Sequence, residues 1–293
     1  MGVSCQTFFV SNYELGATLS SGQAFRWRPS DSGGWRGVVG RRWVRLTQTS
    51  GAILAETPLP CSDWDWLVDY LQLRIDLDLV LATFPDEPPM RAATDACRGL
   101  RLLRQDPWEC LASFILSSTK QIVQIQQIVD VLCNCFGSRI PTLEKDREAF
   151  SFPDAARLAQ ADETELRACK MGFRAPYLLG TARAVANGDI DLAKLGYLPI
   201  EEARAQLMEL PGVGRKIADC VLLFAYGFQK AFPVDVWILR ALKSLYFPRR
   251  KLKIVRVHAF ATSHFGPYGG YAQQYLFHHM RLARSRAKET AGS

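Results

Sequence analysis

Along the first sixty residues, aromatic or branched side chains alternate with polar ones, most clearly from Ala24 to Thr57. The alternation breaks at Ser32-Gly33-Gly34, at Gly40 and at Ser50-Gly51, which suits hairpin turns, so this part predicts a small antiparallel sheet. From Ser62 onward apolar residues recur every three or four positions. That period predicts helices over residues 62–73, 88–103, 107–118, 120–136, 163–170, 175–187, 199–209, 214–226, 234–247, 253–264 and 270–287. Short links marked by Gly or Pro and the lack of an internal repeat favour a compact helical body over a solenoid. The pattern is α+β: a mainly helical body with a small N-terminal antiparallel β domain. "FPDEPPM" (84–90) marks the joint, dividing a β domain with its flanking helix (1–86) from a helical region (87–293). A second joint falls in "GSRIPTLEKDREAFSFPD", which is too polar and turn-rich for one helix.

Composition narrows the class. The chain has 293 residues, 48% of them hydrophobic, enough to bury a substantial core. Its apolar runs fall well short of the eighteen or so residues that span a bilayer, and "MGVSCQTFFV" lacks a basic start, so no membrane association is expected. Eight cysteines are scattered without CxxC pairs or an iron–sulfur run, and four histidines show no HExxH spacing; buried reduced thiols and no metal site are expected. The net charge of +7 is uneven. Residues 201–293 hold 15 Lys+Arg against 6 Asp+Glu, or +9, which leaves −2 for residues 1–200. Such asymmetry points to a polyanion partner near the C-terminal third. The basic stretches "PRRKLK" (248–253) and "RLARSRAK" (281–288) read more simply as solvated faces or a tail.

One motif sharpens that reading. "PIEEARAQLMEL", then "PGVG", then "RKIADCVLLFAYG" reads as helix, slim turn, helix. Gly212, Val213 and Gly214 would turn successive backbone N–H groups outward, toward a phosphate. The plain alternative is an αα-hairpin that only needs a tight turn. Lys216 falls in the first turn of the second helix, where unpaired N–H groups disfavour an ammonium. Either it is a solvated lysine pointing away, or helix end and burial favour a neutral, nucleophilic amine.

"LPGVGRKIADC…PVDVW" resembles the helix-hairpin-helix plus Gly/Pro…Asp motif of DNA glycosylases, and within that superfamily the chain is similar to the 8-oxoguanine DNA glycosylase/AP lyase family. "LSSGQAFRW", "QDPWECLASFILSS", "MGFRAPYL" and "FGPYGGYAQQYLF" follow in family order, so the likeness covers nearly the whole chain. The resemblance implies a helix-hairpin-helix glycosylase body of two helical subdomains, with lesion pocket and DNA grip between them. It implies excision of 8-oxoguanine from duplex DNA in base excision repair. Lys216 would attack C1′ to form a Schiff base, and β-elimination would follow 3′ to the lesion. Asp235 would cap its helix and also stabilise charge on the sugar. Cys220 and Phe277 would sandwich the extruded base, Gln273 would read its Watson–Crick edge, and the Gly22 carbonyl would accept the N7 hydrogen peculiar to oxidised guanine. Phe173 and Arg174 would fill the gap and meet the orphaned partner base.

Two changes, at three positions, depart from the family. Thr119 stands for an asparagine and Gln124 for an arginine near the opposite base, with Lys120 and Gln121 as further contacts to base or phosphate; Trp237 replaces a phosphate-binding histidine. These leave the reaction intact and put the opposite-base preference in question. The expected partner is double-stranded DNA containing oxidised guanine, engaged by a monomer without a required cofactor, although the hairpin could also hold a metal ion against a phosphate. The expected location is the cytoplasm (nucleoid) of a bacterium or the nucleus of a eukaryote. The competing readings are a monofunctional alkylpurine glycosylase, against which Lys216, Gly22 and Gln273 argue, and a non-catalytic helix-hairpin-helix DNA-binding protein.

Overall fold

In the computed structural model, residues 2–144, 147–248 and 253–291 are described, with side chains to Arg284. Most of "PRRKLK" and the end of "RLARSRAK" therefore lie outside the described residues. The N-terminal sheet forms as the alternation predicts. Strands β1 (Ser4–Phe9), β2 (Arg28–Pro29), β3 (Trp35–Val39), β4 (Arg42–Thr49) and β5 (Ala52–Thr57) order as β1-β5-β4-β3-β2, each pair antiparallel. Register pairs such as Gly37↔Val44 and Leu46↔Ala55 place Val44, Leu46, Ile53 and Ala55 in one core. That core is closed by α1 (Leu15–Ser20) and α2 (Asp65–Leu71), and Trp27 Nε1 donates to the Tyr70 hydroxyl at 2.8 Å inside it.

Several short elements escape the periodicity. Helix α1 has six residues and is capped by Glu14, whose carboxylate accepts from the Gly16 and Ala17 amides; glutamate is not a favoured cap. Helix α3 (Leu77–Leu81), capped by Asp76, fills part of the link before the joint. Helix α4 (Pro88–Ala96) ends well before residue 103. Gly99 stops it: φ is +77°, and a Cβ there would lie 2.6 Å from the Glu14 backbone N. The freed segment runs extended and is clamped by Gln23. Gln23 Nε2 donates to Arg101 O and its Oε1 accepts from Leu103 N, both at 2.7 Å, while Gln105 Nε2 donates to Gln23 O. The loop that carries Gly22 is thereby fixed to the helical body.

Helices α5 (Pro107–Leu116) and α6 (Ile122–Phe136) precede a two-stranded ribbon, β6 (Arg139–Ile140) and β7 (Ala149–Phe150), and the short α7 (Ala155–Ala159), in the polar joint where no helix was expected. Helix α8 (Glu163–Leu166) runs into a kinked π turn with Lys170 at φ +64°, so the segment 163–170 is not one regular helix. Then come α9 (Ala175–Asn187), α10 (Ile200–Met208), α11 (Arg215–Val221), α12 (Val236–Leu245), α13 (Ile254–His264) and α14 (Gly269–Ala291), close to expectation. Their apolar faces form one large core, which Phe25, Leu77 and Val80 from the N-terminal part join. No helix among the described residues is long and apolar enough to cross a membrane.

Two helices of the glycine hairpin are pinned by a buried ion pair. Arg204 Nε of α10 donates to Asp219 Oδ1 of α11 at 2.7 Å, with the two side chains 7% and 1% exposed. Removing Asp219 leaves the buried Arg204 only the exposed Glu201 as an ion-pair partner, so Asp219→Ala should lower unfolding free energy by about 3 kcal/mol in urea denaturation; a loss below about 1 kcal/mol would show that the pair does not hold the hairpin.

Candidate active site

The hairpin between α10 and α11 is built around its glycines. Gly212 has φ +75°, and a Cβ there would fall 2.7 Å from Cγ of Tyr177, so a larger residue is strained and obstructed. Val213 turns inward, 5% exposed, and its N–H bonds Leu210 O at 3.1 Å, which corrects the expectation that this amide faces outward to a phosphate. Gly214 caps α11, its carbonyl accepting from the Ile217 and Ala218 amides at 3.0 Å. The amides of the first turn are left to face outward.

Lys216 is the second residue of α11 and half-buried. It lines a cavity of about 340 Å³ together with Asp235, Gly22 and Phe277. Its Nζ donates to Ser117 Oγ at 3.2 Å and stands 5.0 Å from the centroid of the Phe114 ring. Asp235 caps α12, accepting from the Ile238 amide at 2.8 Å. Burial pushes its carboxyl above the usual carboxylate range, against the lowering effects of that hydrogen bond and of Lys216. The capping half of the sequence expectation for Asp235 is met, and the residue also lines the cavity.

Gly22 has φ +85°, and a Cβ would meet Ile122 Cδ1 at 2.4 Å, so its backbone is bare toward the cavity. Cys220 and Gln273 sit behind the lining, 3% and 4% exposed. Burial raises the Cys220 thiol to about 12, which keeps it an uncharged wall. The Gln273 Oε1 is buried with no hydrogen-bond partner among the described residues.

The opposite-base group is arranged otherwise than expected. Phe173 is 54% exposed, available as a wedge. Arg174 is buried, 2% exposed, and points inward: it donates to Met171 O at 3.1 Å, to Thr119 Oγ1 at 2.7 Å and to Ser118 O. Instead of reaching outward for the orphaned base, its two terminal nitrogens tie it to the 118–119 loop and to Met171, while its Nε is buried without a partner among the described residues. Thr119 is held there at φ +59°. Gln124 is exposed, but its Oε1 accepts from the Gln121 amide at 3.0 Å, serving the start of α6. Lys120, Gln121 and Trp237 line the cavity, as do Ser117, Arg281 and Arg284, which sequence reasoning did not single out. The two arginines follow Phe277 by four and seven residues, a helical spacing that could have marked them. Among the described residues no cluster of His, Cys, Asp or Glu could hold a metal ion.

Comparison with known proteins places this geometry. Residues 7–111 match the family model of the 8-oxoguanine DNA glycosylase N-terminal domain, and residues 112–259 match that of the HhH-GPD superfamily base excision DNA repair proteins. The N-glycosylase/DNA lyase OGG1 of Arabidopsis thaliana is 32% identical over 280 residues, 90% of this chain and 76% of the relative. Among solved structures, MBOgg1 in complex with a low-affinity DNA ligand superposes with a TM-score of 0.90 and 33% identity, over 97% of this chain and 99% of that one. The Clostridium acetobutylicum 8-oxoguanine glycosylase/lyase, bound to double-stranded DNA with cytosine opposite 8-oxoG, gives 0.88 and 29%, with 93% of each chain covered.

A β-branched residue in the left-handed region is strained. Thr119→Gly should therefore raise stability by about 1 kcal/mol despite losing the Arg174 contact; a fall of that size would mean the hydrogen bond outweighs the strain.

Proposed function

The chain belongs to the HhH-GPD superfamily of base excision DNA repair proteins, in its 8-oxoguanine DNA glycosylase branch, and from that membership we propose that it is a bifunctional DNA glycosylase/AP lyase that removes 8-oxoguanine from duplex DNA. The observation that carries the reading is one cavity bounded by an amine, a carboxylate and a bare glycine backbone: Lys216, Asp235 and Gly22. A base reaches this cavity only by leaving the stack, and Phe173 stands exposed to fill the space it vacates. Gly212, Gly214 and the first amides of α11, which have no partner within the helix, hold the duplex by its phosphates, a contact without sequence information. Cys220 and Phe277 flank the extruded base, and the stranded Gln273 acceptor takes a hydrogen from its edge.

Lys216 then attacks C1′ as an amine while Asp235 stabilises positive charge on the sugar. Loss of the base leaves an imine, which acidifies the C2′ hydrogen and lets the 3′ phosphate depart. These steps draw on the chain's own groups and water, so on this reading no cofactor takes part; a metal ion bridging hairpin carbonyls and a phosphate would add grip without entering the chemistry. The gap between lesion and normal guanine rests on Gly22. Its carbonyl accepts from N7–H of the lesion, whereas normal guanine would set two acceptors against each other.

Borohydride added during reaction with an 8-oxoguanine duplex should trap a covalent complex, and Lys216→Gln should yield none; trapping that persists in the variant would move the nucleophile elsewhere. Asp235 acts in its ionised form, and burial raises its pKa. The acid limb of kcat/KM for base release should therefore fall at a pH above that of an ordinary carboxylate, and Asp235→Asn, slowed by about 100-fold, should lack that limb. An unchanged acid limb in the variant would assign it to another group.

A further inference from the structure

Helix α14 carries Gln273, Phe277, Arg281 and Arg284 at spacings of four, four and three, which a helix places on one face. The last three line the cavity, and Gln273 lies behind it. Arg281 is half-buried. Its Nη1 donates to Ser20 O at 3.3 Å, and its guanidinium carbon lies 5.7 Å from the centroid of the Phe277 ring. The same Nη1 would stand 3.5 Å from a Cβ built on Gly22. Arg281 is therefore seated between the backbone that reads the lesion and the ring that stacks on it. Among the described residues no carboxylate forms an ion pair with it, and burial lowers its pKa without an opposing charge. A guanidinium nonetheless keeps its proton in proteins, so this is a cation lacking a counter-charge on a cavity wall.

Two anionic partners could meet it there: a phosphate flanking the extruded nucleotide, or the base itself as it departs. The neighbouring arginine suits the phosphate better. Arg284 is exposed at the mouth, its guanidinium 4.9 Å from the centroid of the Trp237 ring, near where a backbone would pass. Arg281 lies deeper, against the two walls of the base site. We propose that Arg281 is a further catalytic residue, which binds the departing purine and stabilises the negative charge it acquires as the glycosidic bond breaks. The inference rests on the glycosylase reading above.

In that step the C1′–N9 bond breaks with its electron pair staying on N9 and spreading through the five-membered ring to O8. Lys216 Nζ forms the bond to C1′ and gives up a proton, and the base anion takes up a proton from water. O8 neighbours the N7–H that Gly22 accepts, which brings it to the Arg281 side of the cavity. A cation there interacts weakly with the neutral bound base and strongly with the charge of the transition state, which is the condition for acceleration.

The test separates base loss from strand scission. Single-turnover base release from an 8-oxoguanine:cytosine duplex is compared with cleavage of a duplex already carrying an abasic site, where no base departs. Arg281→Gln should slow base release by about 100-fold and leave abasic cleavage within about twofold, with partial recovery in Arg281→Lys. Cleavage at the abasic site also reports that the variant is folded. Equal slowing of both reactions, a loss confined to salt-dependent duplex binding as for a phosphate contact, or no change in either would each overturn the proposal. Absence of both base release and borohydride trapping in the unsubstituted enzyme would instead sink the glycosylase reading.

Discussion

The site depends on keeping an amine and a carboxylate in one half-buried cavity without letting them satisfy each other. A close Lys216–Asp235 ion pair would fix the ammonium and remove the negative charge that a developing sugar cation needs. The structure gives each a different anchor. Asp235 spends its near oxygen on the Ile238 amide, and Lys216 donates to Ser117 with the face of Phe114 alongside. The electrostatic influence between the two persists, but their hydrogen bonds lie elsewhere. Separation of this kind has to be imposed by backbone, because side chains alone would close the gap at little cost.

The surrounding fold supplies that constraint through three buried polar fastenings. Arg204 and Asp219 lock α10 to α11, which fixes the angle at which Lys216 enters. Gln23, fully buried, binds the Gly22 loop to the segment after α4, so the Gly22 backbone belongs mechanically to the helical body although it comes from the N-terminal part. Arg174 binds the 117–119 loop, which carries the Ser117 hydroxyl that Lys216 meets. Each is costly to leave half-made, and the last two join segments 55 or more positions apart in sequence.

Legibility in the sequence followed from how local each feature is. The hairpin sheet, the long helices and the glycine turn carry their own periodicity or turn chemistry, and they stand where the pattern puts them. Helix α1 and the end of α4 did not show, because a six-residue helix has no period and Gly99 stops α4 through contact with a backbone 85 positions earlier, at Glu14. At the site, the motif carried Lys216, Asp235 and Gly22 into one cavity. The inward turn of Arg174 was not legible, because only the folded chain shows that carbonyls and a hydroxyl from residues 118, 119 and 171 engage its two terminal nitrogens.

The same accounting bears on the partner strand. On the lesion side the cavity presents Lys120, Lys216, Arg281 and Arg284 against the single carboxylate of Asp235. On the opposite-base side the groups are neutral or already engaged. Gln124 can turn to a cytosine only by releasing the Gln121 amide at the start of α6, which returns about 1 kcal/mol of what a new hydrogen bond provides. Arg174 can do so only by abandoning three acceptors in a buried loop. Discrimination among partner bases therefore has little free energy to work with, while the grip on the lesion has much.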